Sequence, residues 1–214
     1  MSRGRLIAIC GIDGAGKTTH EELLFGWLRP RIPVLRTQQP TSWYRQLPVV
    51  REYLDQGFCR TGMRGLALLA AADREHHLNA VIRPALAAGT WVLCNRYVYS
   101  TYAYFMARGV DLPFLRNINA HADRPDLTIL LDLSAEASRR RVQERDGAIA
   151  KFEETRLVFM EAVRANFLAV RDDSFLVLDA TLPASELHFA VRRAVASLNP
   201  PRELDDVTAI SASP

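Results

Sequence analysis

A doubly wound α/β fold, a parallel five-stranded sheet with helices on both faces, is predicted for this chain by three observations. Five short, mostly continuous apolar runs recur at residues 6–10, 34–36, 91–94, 128–133 and 175–178, as expected of parallel strands covered on both sides. Segments with helical spacing of apolar residues separate them, so that each strand is followed by a crossover rather than a hairpin. The first run leads directly into Gly11-Ile12-Asp13-Gly14-Ala15-Gly16-Lys17-Thr18-Thr19, which fits the phosphate-binding loop pattern G-x-x-x-x-G-K-[ST] between a strand and a helix.

The elements follow in order. A helix is expected from Lys17 to about Leu28, burying Leu23, Leu24, Trp27 and Leu28 and stopping before Pro30. A second helical pattern, carried by Val49, Val50, Tyr53 and Leu54, closes at Gly57. An Ala/Leu-rich stretch from about Gly62 to Gly89 reads as helical, with Pro84 marking a kink or break. Ser134 can cap a helix that carries Arg139, Arg140, Arg141 and Arg145, and spacing by four puts Arg141 and Arg145 on one face. Pro, Ser and Asp dominate from residue 199 onward, so a single domain over 1–198 and a flexible tail over 199–214 are expected. There is no internal repeat.

With 214 residues, 49% of them hydrophobic, the chain can bury a sizeable core within one domain. A net charge of +3 falls short of the basic face of a nucleic-acid binder, so no nucleic-acid partner is expected. Of 27 Lys plus Arg only Lys17 and Lys151 are lysines. Single arginines therefore carry little information, whereas a lysine inside the glycine loop suits buried phosphates. Cys10, Cys59 and Cys94 have neither paired nor metal-like spacing and are expected to be reduced and buried. His20, His76, His77, His121 and His188 form no metal-ligand pattern. No signal pattern and no membrane-spanning apolar run is seen, so a cytoplasmic protein without a membrane partner is expected.

The loop chemistry points to a nucleoside triphosphate. Glycines at 11, 14 and 16 let backbone N–H groups converge on an anion at a helix N-terminus, Lys17 adds a full charge, and the Thr18 hydroxyl is a ligand for magnesium. In a doubly wound sheet ligands gather at the carboxyl ends of the strands. There the loop, residues 38–41, Asn95-Arg96 and the segment after Leu133 converge.

The order of motifs over roughly residues 5–196 resembles the thymidylate kinase family. The loop is similar to that family's G-x-D-G-x-G-K-[ST]-T. Ala71-Ala72-Asp73-Arg74, Ile82-Arg83-Pro84-Ala85-Leu86 and Gly89-Thr90-Trp91-Val92 resemble its central helix and third strand. Asn95-Arg96-Tyr97 stands where it carries Asp-Arg-Tyr or Asp-Arg-His; Pro125-Asp126-Leu127-Thr128 with Leu131-Asp132-Leu133 resembles its fourth strand and Asp179-Ala180 the end of its fifth. The arginine run before Lys151-Phe152-Glu153 resembles its mobile lid, placed near 139–151.

The resemblance implies the P-loop kinase fold, ATP and Mg2+, and transfer of the γ-phosphoryl group of ATP to a nucleoside monophosphate, dTMP or a related pyrimidine nucleotide, in a cytoplasmic homodimer. It implies that Gly11, Asp13, Gly14, Ala15, Gly16, Lys17, Thr18 and Thr19 hold ATP. Arg96 would hold the acceptor phosphate or the group in transit, Asp13 would meet the acceptor's 3′-hydroxyl, and Arg74 would hydrogen-bond its base. Tyr104 would crowd the sugar 2′ position. Because Gly14 stands where some members place an arginine, Arg145 and Arg141 of the lid would supply the transition-state charge. The plain alternative is a surface ion pair for Arg96, one more arginine of an Arg-biased composition for Arg74, and a solvated helix face for Arg141 and Arg145.

Four departures bear on the acceptor and the metal. Gln38 and Gln39 stand where the family has Arg-Glu, leaving Arg45 as a substitute cation. Asn95 replaces an aspartate, so it would reach magnesium only through a bound water. Ala70 stands where the family stacks thymine on phenylalanine, and Tyr102 and Phe105 bring extra aromatics to the segment after Arg96. From sequence alone these changes predict a loosened preference for dTMP that Ala70→Phe would tighten, and a magnesium requirement that Asn95→Asp would lower. They also keep open a kinase for a nucleoside or unusual nucleotide of a specialised pathway, and a non-catalytic nucleotide-binding module.

Overall fold

The computed structural model describes residues 3–147 and 156–198. Five strands, β1 (Leu6–Cys10), β2 (Val34–Gln38), β3 (Trp91–Asn95), β4 (Leu127–Asp132) and β5 (Phe175–Asp179), form one sheet of order β2-β3-β1-β4-β5. Every pairing is parallel. All five residues of β1 are fully buried. Because successive side chains of a strand point to opposite faces, the sheet is covered on both. β2, β3, β4 and β5 differ from the predicted runs by one or two residues at their ends, where polar side chains such as Gln38, Asn95 and Asp179 continue the ladder.

Ten α-helices surround the sheet among the described residues: α1 (Lys17–Leu28), α2 (Ser42–Gln46), α3 (Pro48–Gln56), α4 (Gly62–His77), α5 (Arg83–Ala87), α6 (Val98–Ala107), α7 (Leu112–Ile118), α8 (Ala135–Asp146), α9 (Leu157–Ala169) and α10 (Ala184–Ala196). A π-helical segment, Leu78–Ile82, joins α4 to α5. Pro84 is the second residue of α5, and the long helical stretch does not break there but runs on through the π turn, which takes up the residue whose N–H is missing. Helix α1 buries Lys17, His20, Glu21, Leu24, Trp27 and Leu28, a stripe repeating every three or four residues. Leu23, expected in that stripe, lies off it and is exposed. Ser134 caps α8 by accepting from Ala137 N at 3.2 Å, and Gly57 closes α3 in the left-handed conformation, both as expected.

The main core packs helices α1, α6, α9 and α10 on the sheet. A second apolar cluster, with Tyr44, Val50, Tyr53, Leu66, Ala67, Ala70, Phe105 and Leu115, lies among α2, α3, α4, α6 and α7. That satellite cluster forms the floor of one side of the site. Cys10, Cys59 and Cys94 are free and buried. No described helix is long and apolar enough to cross a membrane. Of the lid expected near 139–151, residues 139–147 are the end of α8 and its cap, while the rest, with Lys151, Phe152 and Glu153, and the tail 199–214, lie outside the described residues.

Candidate active site

The chain leaves the central strand β1 and turns through residues 11–16 into α1, whose first N–H groups have no partner within the helix. Two glycines are required by their surroundings. A Cβ on Gly11 would lie 2.7 Å from the Leu131 carbonyl oxygen, and one on Gly14 would lie 2.8 Å from that of Ser138. Both have positive φ. The turn is pinned to α8 by Ser138 Oγ, which donates to the Asp13 carbonyl at 2.5 Å. Such a loop fits a polyphosphate: glycines keep its turn free of Cβ atoms at 11, 14 and 16, and Lys17 and Arg96 bring positive charge to it. The oxygen donors around it, Thr18 and Asn95, are of the hard type that magnesium takes.

Lys17 is 8% exposed. Its Nζ donates to the Ile12 carbonyl at 2.8 Å and lies 3.5 Å from Asp13 Oδ1. Burial, helped by the charge of Arg96, pulls its pKa down to about 7, against the pull of Asp13. Arg96 follows β3 and is the one described non-glycine residue in the left-handed region, at φ 64°. Its N–H donates to the Ile9 carbonyl of β1 at 2.8 Å, and its guanidinium donates to Asp13 Oδ1 at 2.5 Å and to the Gly11 carbonyl at 3.3 Å. The same guanidinium lies over the Tyr104 ring, 5.2 Å from its centre. A strained residue held by so many contacts is typical of a working site.

Two cavities meet here. The polar one is walled by Asp13, Gly14, Gly16, Lys17, Thr18, Gln38, Gln39, Asn95, Arg141 and Arg145, together with Arg45 and Arg96. Its neighbour is more apolar and is walled by Pro40, Tyr44, Val50, Tyr53, Leu54, Ala70, Tyr104, Phe105, Arg108 and Met160, with Ser100 and Thr101 and again Asp13, Arg45 and Arg96. Asp13, Arg45 and Arg96 therefore stand at the junction. Burial and the charge of Arg96 lower the pKa of Arg45, while Asp13 works the other way.

The structure brings together most of the residues singled out in the sequence, with exceptions. Tyr102 does not line either cavity: it packs between the two apolar clusters and stacks edge-on to Tyr99. Arg74 does not line them either. It is nearly fully buried behind the wall, with Nε donating to Asn119 Oδ1 at 2.9 Å and its two terminal nitrogens donating to Gln39 Oε1 and Thr101 Oγ1. Three of its five N–H groups are thus used within the protein, and its guanidinium lies over Tyr97. Gln38 faces the polar cavity, while Thr19 lines neither. Arg141 lines the polar cavity and also donates to the Ala180 carbonyl at 2.9 Å.

Several contributors were not singled out. Asp73 clamps the turn before α2, accepting from Thr41 N at 2.8 Å and from the Thr41 hydroxyl. Because Arg74 can only donate, it must face the oxygen of Gln39, which turns the Gln39 amide nitrogen toward His77 Nδ1 at 3.1 Å. His77 is then the Nε2–H tautomer, donating to Thr37 Oγ1 at 2.8 Å. Arg108, at the end of α6, lies 4.6 Å from the Phe105 ring centre and 5.0 Å from that of Tyr53. Its spacing of four from Tyr104 on a helix was the available signal. Glu21, buried on α1, accepts from Asn95 Nδ2 at 2.7 Å and from Arg36 Nε at 2.8 Å. Nothing in the one-dimensional pattern pairs those three.

An all-parallel sheet of this order, with the glycine loop at the end of its central strand, is the architecture of the P-loop kinases. The sequence model described as thymidylate kinase matches residues 9–191. A probable thymidylate kinase of Pyrococcus abyssi is 39% identical over 194 residues, 87% of this chain and 93% of that protein. The thymidylate kinase of Chromohalobacter salexigens is 38% identical over 190 residues, 84% of this chain and 89% of that one. That of Clavibacter michiganensis is 38% identical over 204 residues, covering 91% and 96%. The chain belongs to the thymidylate kinase family.

Proposed function

We propose that this protein is an ATP-dependent nucleoside monophosphate kinase that phosphorylates dTMP, moving the γ-phosphoryl group of ATP onto the dTMP phosphate to give ADP and dTDP. The observation that carries the reading is the junction of the two cavities at Asp13, Arg45 and Arg96. A polyphosphate on the glycine loop and a nucleotide with its base among Tyr44, Tyr53 and Phe105 would bring their phosphates together at the Arg45 and Arg96 cations. Phosphoryl transfer needs such positioning and charge neutralisation more than covalent help.

In this reading the loop backbone and Lys17 hold the β- and γ-phosphates. Arg96 and Arg45 hold the acceptor phosphate, with Gln38 beside them, and Asp13 accepts from the sugar 3′-hydroxyl. Arg141 and Arg145 serve charge that develops in transfer, in a lid that begins at the end of α8. The close approach of α8 to Gly14 supports that assignment, since an arginine at 14 would push Ser138 aside. Tyr104 bounds the sugar, and Ala70 and Phe105 bound the base. Arg74 acts from behind the wall through Gln39 and Thr101, and Tyr102 is a packing residue. Magnesium bound with the nucleotide would neutralise charge on the transferred group, held by Thr18 and, through a water, by Asn95. ATP as donor and three unpaired buried thiols support a cytoplasmic location, and family membership supports a homodimer.

The alternatives raised by Gln38, Ala70 and Asn95 are not favoured. Relatives with 38–39% identity over most of their length carry the name thymidylate kinase, and aromatic rings from α2, α3 and α6 enter the pocket that Ala70 leaves open. The test is a coupled ADP-release assay over dTMP, dUMP, dCMP, UMP and thymidine. The expected result is magnesium-dependent turnover with the highest kcat/KM for dTMP. Preference for thymidine, or tight ATP binding without turnover on any acceptor, would overturn it.

A further inference from the structure

Asn95 ends β3 at the wall of the polar cavity that Lys17 and Thr18 also line, and its partner is a carboxylate. Glu21 is 5% exposed, one helical turn after Lys17. Its Oε1 accepts from Arg36 Nε at 2.8 Å, and its Oε2 lies 2.7 Å from Asn95 Nδ2. An ionised carboxylate only accepts, so the amide must turn its NH2 toward Glu21. The amide oxygen is then the atom that Asn95 offers to the cavity it lines. Arg36 in turn neutralises Glu21 from the neighbouring strand and lies over the Phe25 ring at 5.3 Å, which fixes its own direction.

We infer that Glu21 is a positioning residue of the phosphoryl-transfer site: it holds the Asn95 amide with its oxygen toward the hydrated cation that accompanies ATP, and Arg36 holds Glu21. The inference rests on the reading that Asn95 faces nucleotide-bound magnesium through water. An aspartate at 95 would set two carboxylates against each other at the present 2.7 Å spacing, so the exchange that sequence alone presents as an improvement is here a disruption. Donor and acceptor can be exchanged together. With Gln at 21, its amide nitrogen would donate to Asp at 95 while its oxygen still accepts from Arg36 Nε. With Gln at 21 alone, the same two demands would turn the Asn95 amide round and present its NH2 to the cation.

The experiment is calorimetric titration of ATP into the full chain over a magnesium series, without acceptor, for the wild type, Asn95→Asp, Glu21→Gln and the double variant. Thermal melting of each nucleotide-free protein and kcat and KM for ATP are measured alongside. Each single substitution should raise the magnesium concentration for half-maximal enhancement of ATP affinity about tenfold, and the double variant should return it to within about threefold of wild type. Rescue of a metal requirement by an exchange of donor and acceptor is not expected of a site that merely stabilises the fold. Independent, additive effects of the two substitutions, or a magnesium requirement that falls in Asn95→Asp alone, would overturn the inference. A single variant too unstable to titrate leaves the decision to the double variant, whose failure to recover both melting temperature and magnesium response would count against it. Lys17→Ala separates the two levels: ATP binding that survives that change overturns the nucleotide site itself, whereas its loss with an unmoved magnesium response in the other variants overturns only the role of Glu21.

Discussion

ATP should bind this protein with uptake of close to one proton at pH 8, and the proton should go to Lys17. In the nucleotide-free site burial and Arg96 bring the lysine down to about 7, so that at pH 8 about a tenth of the molecules carry the charge. A polyphosphate beside Nζ reverses the balance, because it adds negative charge to that of Asp13, which opposes Arg96 there. If the bound-state value rises above about 9.5, uptake at pH 8 is about 0.9 proton, while the terminal phosphate of ATP, whose second pKa is near 6, adds little. Affinity should then fall about tenfold for each pH unit above 7, or about 1.4 kcal/mol per unit, until the bound-state pKa is reached. Calorimetric titrations at pH 8 in two buffers of different ionisation enthalpy count the protons directly. Uptake below about 0.2 proton with binding intact would refute the argument, as would an affinity flat between pH 7 and 9. Lys17→Ala should abolish turnover and leave unfolding curves near those of wild type, since the ammonium is directed at the loop and contributes little to the core.

Three further outcomes are expected. Arg145→Ala should lower kcat by about 100-fold or more with ATP affinity changed far less, because an arginine at the cavity rim acts on charge that develops during transfer; unchanged kcat with a raised KM for ATP would reduce it to a binding residue. Ala70→Phe should lower kcat/KM for dTMP at least tenfold, opposite to the expectation from sequence alone, since Tyr53, Phe105 and Arg108 already fill the facing walls and a ring at 70 would compete with the base; a gain for dTMP would show that the base lies elsewhere. Ring nitrogen shifts at pH 7 should report His77 as the neutral Nε2–H tautomer, and its titration should lie below the ordinary 6.5, lowered by burial. With a folded-state value below the unfolded one, its contribution to stability is full above pH 6.5 and is lost as pH falls through the lowered value. An Nδ1–H tautomer would contradict the amide orientation deduced from Arg74.

The strands, the glycine loop and the first helix were legible because each is a local signal: a continuous apolar run, a fixed spacing of glycines and a lysine, a 3.6-residue stripe. Leu23 was misplaced because a stripe of Leu and Trp at 23, 24, 27 and 28 is wide enough to fit the helix in two rotations. The polar residues Lys17, His20 and Glu21, buried by the loop and by β3, decided between them. Resemblance pointed to Arg96, Arg141 and Arg145, and closeness in sequence to Arg45, and all four line the cavities. It did not reveal that Arg74 and Tyr102 lie behind the wall, because lining a cavity and supporting its wall require the same position on a helix and differ only in what the side chain meets. Arg108 and Tyr53 escaped notice for a related reason. Their roles come from stacking between α3 and α6, which are distant in sequence.

The departures from the family pattern are coupled in space, and this gives them a physical meaning that none has singly. Gln39, an amide where the family has an acid, meets Arg74 on one side and His77 on the other. An acid there could bond to Arg74, but it would face the acceptor nitrogen of His77 with a second acceptor, forcing the ring to the other tautomer and reversing its bond to Thr37, whose hydroxyl would then donate. Asn95, an amide where the family has an acid, meets Glu21 in the same way. Each amide answers a group that an acid would oppose: at 95 a carboxylate that would repel it, at a site where an unmet polar atom costs about 1–3 kcal/mol, and at 39 an imidazole that would have to change tautomer. The amides at 39 and 95 are thus matched to the donors and acceptors that meet them. Restoring the acid at 95 alone should therefore lower both the melting temperature and kcat, and only Asn95→Asp together with Glu21→Gln should recover them, whereas Gln39→Glu, which His77 can meet by changing tautomer, should cost less in both measurements.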